Sequence, residues 1–298
     1  MPRIARVDLP QGSVPPNVYA SIMQSWAASN PAEAVAYLAT LPPGSQRNQA
    51  LAGVASGLAK ADPKAAMEWA EGLPAADAGA MRTVLATIAQ SNPQFAADNL
   101  DKVTNAAQRS SLIATIIDDA NMRGTYIGNS PEAELGWLGK VATGAAYQSD
   151  VSMLFASLTG ASRNSNAPNY TEAVSLLGTL TDTATRKIAI TSMASGWSQA
   201  DPKAAVTWAL SLPKEASSAA NAAYGTIMTA WARTNPAAVL DFAENTPRAA
   251  TSVNLAGAIG MALGNSDPQA AFTFIQSLPD GQAKNNAIIT AMTNIARY

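Results

Sequence analysis

The sequence predicts an all-α solenoid of about eight helix-pair repeats, and three regularities predict it. A capping residue followed by proline returns along the chain at near-constant spacing. A helix-closing position lies eleven residues after each such start, and a large apolar residue usually stands five residues before it. Self-similarity with a period of this size is the signature of stacked helical hairpins, in which each unit contacts only its neighbours.

Each element follows from local chemistry. Residues 1–16 read as an extended arm with three prolines in the last seven, and a first helix is expected near 17–28. The short helices of the repeats start at Pro31, Pro63, Pro93, Pro131, Tyr170 (where the proline is lost), Pro202, Pro236 and Pro268, at spacings of 32, 30, 38, 39, 32, 34 and 32. The preceding residues are Asn30, Asp62, Asn92, Ser130, Asn169, Asp201, Asn235 and Asp267. All eight have a side-chain oxygen that can accept an orphan N–H of the first turn, and proline at N1 has its φ already set for a helix. In the second unit Ala66, Trp69, Ala70 and Leu73 recur at helical spacing and form one apolar stripe. The closing positions are Pro42, Pro74, Thr104, Ala142, Thr181, Pro213, Pro247 and Pro279, and each leads into a longer helix rich in Ala, Ile, Leu and Met.

Two ladders of bulky groups result. One stands near the end of each long helix: Trp26, Leu58, Ile88, Tyr126, Trp197, Trp231 and Leu263, with Ser165 as the exception. The other lies inside each short helix: Tyr37, Trp69, Trp137, Leu176, Trp208, Phe242 and Phe274, interrupted by Asn99. Recurrence at equivalent positions is what a continuous core requires, so the aromatics read as core rather than as a sugar or cofactor platform.

This organisation resembles the tetratricopeptide-like superfamily of helical-hairpin repeats. The stretch Asp62-Pro63-Lys64-Ala65-Ala66-Met67-Glu68-Trp69, with a small Ala ahead of an aromatic, resembles the start of the second helix of such a repeat, and the likeness extends over roughly residues 17–298. The proline at the helix start and the shortness of that helix depart from the standard motif. The resemblance implies a right-handed superhelix with a concave face used to bind proteins, and it carries over no individual binding residue.

On this reading residues 17–298 form a single repeat domain with longer, irregular repeats at about 93–169. Two units exceed the 32-residue spacing by 6 and 7 residues, just before Pro131 and Tyr170. Insertions in repeat arrays gather on a binding edge. Arg123, Tyr126 and Asn129 from one long connection, with Arg163, Asn164 and Asn166 from the other, form a candidate partner-binding edge; unselected loop drift is the alternative. Asn169-Tyr170-Thr171 is the only glycosylation sequon, and a glycan there would compete with the helix cap.

Composition narrows the chemistry. The chain has no His and no Cys, which removes imidazole catalysis, thiolate chemistry, disulfides and nearly all zinc ligation. Net charge is −2 with Lys and Arg scattered singly, whereas a nucleic-acid binder needs a basic stripe. No apolar run is long enough to span a membrane. No cofactor is expected, and nucleotide-binding or nucleophile motifs are missing. Gly257, Gly260 and Gly264 lie inside a long helix, where close packing explains them. Among the carboxylates, adjacent Asp118 and Asp119 point about 100° apart on a helix. Asp98 and Asp101 share a helix face beside Lys102, and Glu132 and Glu134 stand in a first turn where the helix dipole favours negative charge.

The ends suggest assembly. The last helix keeps Ile288, Ile289, Met292 and Ile295 and then stops at Tyr298 without a polar capping repeat. An arm (Ile4, Val7, Leu9) or first helix from another copy would cover that face, and such a contact propagates as a filament unless it closes into a ring. The expected function is a non-enzymatic scaffold that self-associates through its ends, as an extracellular or cell-surface fibre subunit. The surface, built from Ser, Thr, Asn and Gln, points to the cell exterior or envelope, with a cytoplasmic location also open. Its partners are copies of itself, or another protein. A monomeric adaptor that binds peptides on the concave face and an all-helical carbohydrate-active enzyme are the alternatives.

Overall fold

The computed structural model describes residues 16–160, 168–213, 217–247 and 251–295. Among these residues there are seventeen α-helices and no strand. Helix α1 (Pro16–Ser29) leads, and eight pairs of a short and a longer helix follow: α2 (Pro31–Thr40) and α3 (Ser45–Ala61), α4 (Pro63–Glu71) and α5 (Gly79–Ala89), α6 (Pro93–Asp98) and α7 (Ala106–Met122), α8 (Pro131–Val141) and α9 (Gly144–Leu158), α10 (Tyr170–Thr179) and α11 (Thr183–Ala200), α12 (Pro202–Ser211) and α13 (Ser217–Thr234), α14 (Pro236–Glu244) and α15 (Val253–Ser266), α16 (Pro268–Ser277) and α17 (Gln282–Ile295).

At the short corners a single residue turns a long helix into the next short one. The N–H of Asp62 bonds the carbonyl of Leu58 at 2.8 Å and closes α3. Its carboxylate meanwhile accepts the N–H groups of Lys64 and Ala65 at 3.0 and 3.1 Å and opens α4. The same double role falls to Asn92, Asp201, Asn235 and Asp267. Asn30 makes only the backbone half, with no side-chain bond to α2. Because the corner has fixed geometry, the residues flanking it at a spacing of eleven meet. Trp26 packs on Tyr37, Trp197 on Trp208 and Trp231 on Phe242, with ring centroids 5.4, 5.4 and 5.5 Å apart. At these three corners the two ladders meet as pairs, and no described member of either ladder is exposed.

Both interruptions of the ladders have local explanations. At Asn99 the short helix simply ends: the side-chain amide donates to the Phe95 carbonyl at 2.9 Å, and a 3-10 turn follows over Leu100–Lys102. Leu100 and Val103 supply the buried apolar groups there. This corrects the expectation that Asp98 and Asp101 share a helix face, since Asp98 is the last residue of α6. At the other interruption the ladder position is Leu158, not Ser165, which lies outside the described residues. The Asn169 N–H bonds the Leu158 carbonyl at 2.8 Å, the same bond that Asp62 makes to Leu58. The seven extra residues therefore enter after the helix, between Leu158 and the cap.

The chain divides into two compact units, Met1–Ala120 and Asn121–Tyr298. In the first, α3 packs against α1 and α5, with α2 and α4 alongside. Gly53 and Gly57 let α1 approach so closely that a Cβ at Gly57 would stand 2.3 Å from the Gln24 carbonyl oxygen. A bidentate ion pair, Arg47 with the buried Asp77 at 2.5 and 2.6 Å, ties α3 to the 3-10 turn before α5. In the second unit α11 packs on α9 and α13, α13 on α15, and α15 on α17. Gly257, Gly260 and Gly264 do act as packing residues, lying against Asn286, Ala287, Thr290 and Ala291 of α17.

Candidate functional site

The departures from the repeat concentrate in one helix pair, α8–α9, which lies between the two long connections. Three residues after the first residue of each short helix stand Ala34, Ala66, Ala96, Glu134, Ala173, Ala205, Val239 and Ala271. The seven small apolar residues are fully buried because the short helix rests on its neighbours at this point, and Glu134 is equally buried, at 0 % exposure. Eight residues before the end-of-helix ladder position the long helices carry Ala50, Ala80, Ala189, Ala223 and Leu255, all buried; counted from Ile127, α7 carries Asp119, 8 % exposed, and α9 carries Asp150, 4 % exposed. Two carboxyl groups thus occupy apolar positions of the same helix pair.

Glu134 is engaged on one side only. Its Oε2 accepts the Ile127 N–H at 2.8 Å, while Oε1 has no hydrogen-bond partner. Burial pushes its pKa up to about 7, against the pull of the Ile127 amide. The helix dipole at the first turn of α8 favours the charged form by only about 0.5 kcal/mol, while a shift from 4.5 to about 7 corresponds to roughly 3 kcal/mol. Desolvation wins. Asp150 behaves alike: Oδ2 has no partner, and burial raises the carboxyl to about 6. The reading of Glu134 as a charge favoured by the helix dipole is therefore corrected, because the repeat's packing places its position inside the core.

The bond to Ile127 fixes the first long connection. Ile127 is buried, and Tyr126 beside it is half-buried, so Ile127 rather than Tyr126 plugs the core. The two residues after it, Gly128 at φ 76° and Asn129 at φ 65°, are both left-handed. A Cβ on Gly128 would stand 2.6 Å from the Ala133 Cβ, so glycine is required there. Ser130 then caps α8 by accepting the Ala133 N–H at 3.1 Å. Of the candidate edge, Arg123 and Asn129 are exposed on this connection, while Arg163, Asn164 and Asn166 lie outside the described residues.

Among the described residues the other acids form no enclosed centre. Glu132 and Glu172, in the first turns of α8 and α10, are exposed and hydrogen-bond each other, which lowers the pKa of Glu132 and raises that of Glu172. Asp118 is exposed and Asp119 buried, on different sides of α7. Among the described residues no three acidic groups are placed to hold a metal ion, and no helix is long and apolar enough to cross a membrane. A shallow open groove of about 520 Å³ runs along α12, lined by Asp201, Lys203, Thr207, Trp208 and Ser211. Behind Trp208, Trp197 stacks on Tyr170 with centroids 4.3 Å apart.

On α17, Ala287 and Ala291 face α15, and the outer side carries exposed Ile288, Ile289 and Met292, with Ile295 half-buried. Ile4, Val7, Leu9 and Tyr298, the remaining residues expected at an assembly contact, lie outside the described residues. Sequence reasoning missed Glu134 and Asp150 as buried groups. Reading the repeats as aligned columns exposes Glu134 at once, as the single acid in a column of Ala and Val. Asp150 needs the true position of the insertion, which only the Asn169–Leu158 bond supplies. No family model, curated protein or solved structure matches the chain.

Proposed function

We propose that the chain is a non-enzymatic repeat scaffold, a right-handed solenoid of eight helix pairs that joins further copies of itself head to tail as a subunit of an extracellular or cell-surface fibre. The observation that supports this most is the outer face of α17, where Ile288, Ile289 and Met292 are 37, 63 and 46 % exposed. Covering a few hundred Å² of apolar surface at about 25 cal/mol per Å² contributes roughly 5 kcal/mol. Association costs are on the order of 4–15 kcal/mol, so the receiving surface must be apolar as well. Helix α1 of another copy is such a surface: Val18 and Ile22 are 42 and 46 % exposed, and no charged residue occurs in the whole helix. A contact between unlike faces propagates rather than stopping at a dimer.

Light scattering over a concentration series tests this reading. The wild-type chain is expected to grow in mass with concentration. Ile289→Glu/Met292→Glu is expected to remain monomeric with unchanged helical circular dichroism. A wild-type chain that stays monomeric at every concentration would refute assembly and turn attention to the adaptor reading.

A further inference from the structure

We propose that Glu134 is a proton-operated clasp on the first long connection: protonated, it holds residues 123–129 against α8, and on losing the proton it releases them. The geometry carries this. Within the second unit, one buried carboxyl reaches back seven residues to the Ile127 amide, and that bond lies at the base of two consecutive left-handed residues. Such a turn persists only where its surroundings hold it in place. The seven other repeats carry Ala or Val at this position, and this one carries a carboxyl where the connection ahead of α8 is six residues longer. The acid thus stands where there is an additional segment to be held.

The direction of the switch follows from solvation. An uncharged carboxyl fits a site of 0 % exposure, whereas a carboxylate with one oxygen unpartnered is strongly disfavoured there. Once ionised, the group gains by reaching water, which requires breaking the Ile127 bond. Nearby charges do not offset this. Glu132 and Lys140 on α8, Arg123 and Tyr126 in the connection, and Tyr147 and Asp150 on α9 contribute nothing to its shift, which burial and the Ile127 amide account for alone. With the carboxyl raised to about 7, release falls in the neutral range, and it alters the presentation of Arg123, Tyr126 and Asn129 to a partner.

The chain contains no cysteine, so Arg123→Cys can carry a single nitroxide label whose mobility is read by electron paramagnetic resonance. In the otherwise wild-type chain the mobile fraction should rise several-fold between pH 5 and pH 8, with a midpoint near 7. Added Glu134→Gln, which stays neutral and still offers an oxygen to Ile127, should abolish the rise. Added Asp150→Asn should leave it in place. A spectrum unchanged from pH 5 to pH 8 overturns the proposal, as does a rise that survives Glu134→Gln or disappears with Asp150→Asn. Should Glu134→Gln lose its helical signal, the first and third titrations still decide.

Discussion

Replacing Gly57 by alanine tests the closest helix contact of the first unit, because two opposing effects of known size meet there. Alanine in a helix interior is favoured over glycine by about 1 kcal/mol, so on an exposed helix face the change stabilises. At Gly57 the new Cβ would lie 2.3 Å from the Gln24 carbonyl oxygen, 2.7 Å from the Ala27 Cβ and 3.0 Å from the Ala28 nitrogen. Two of these three atoms are α1 backbone, which no side-chain rotation can move. Helix α1 must therefore retreat by about 1 Å, which loosens the contacts of the buried Met23 and Ala27. Overpacking of this kind costs about 1–3 kcal/mol and sometimes more. A 2.3 Å approach to backbone puts the cost at the upper end, so the net expectation is a loss of about 2 kcal/mol despite the better helix former.

Gly136 in α8 provides the control, since a Cβ there meets nothing within 4 Å and the position is exposed. Gly136→Ala is expected to stabilise by about 0.5–1 kcal/mol. Urea titration followed by circular dichroism measures both, with each variant compared with wild type at a fixed protein concentration. The opposite signs are the test. A Gly57→Ala protein as stable as wild type would refute the close approach of α1 to α3, whatever happens at Gly136.

Two further outcomes follow from the charges. Arg47→Met strands the buried Asp77 carboxylate and should lower the melting temperature at pH 7. The arginine holds the Asp77 carboxyl below its usual range, so this stabilisation is lost as pH falls, and melting temperatures of variant and wild type should converge in acid. Glu134 has the opposite sign: its folded-state pKa is raised, so its contribution is complete below about pH 4.5 and declines as pH rises through 7. Glu134→Gln should therefore leave stability near wild type at pH 4.5 and raise it by roughly 2–3 kcal/mol at pH 8 in urea titrations; an equal effect at both values would show that burial does not govern this group.

Local chemistry is legible in a sequence because its partners are chain neighbours. A cap bonds an N–H two or three residues away, and proline acts on its own φ, so the helix starts at Pro63, Pro202 and Pro268 can be read directly. The same holds for the corner pairs, which a fixed spacing of eleven brings together. Leu158 was not legible. Counting back from the start of α10 assumes that the insertion lies inside the counted stretch's helix, and nothing local says whether seven extra residues lengthen a helix or follow it. Ile127 and Tyr126 pose the same problem, since two adjacent large apolar groups compete for one core position. The 3-10 turn and left-handed pair decide for Ile127, and neither is visible to helical periodicity.

Glu134 shows a different kind of blindness. In the first turn of a helix a glutamate has a sufficient local explanation in the dipole, and the dipole carries no information about burial. Burial at this position is a property of the repeat, not of the residue: Ala34, Ala66, Ala96, Ala173, Ala205, Val239 and Ala271 are inside because each short helix rests on its neighbours there, and Glu134 follows them in. The stability of the array therefore has a cost at α8 that rises with pH, and a plain alanine would avoid it. What alanine lacks is an acceptor for the Ile127 N–H, which would then be buried beneath the long connection without a partner, at about 1–3 kcal/mol. The carboxyl and the inserted segment thus explain one another. The Ile127 N–H is a buried donor in the longer connection, and the side chain that answers it stands at a position that the other repeats keep apolar.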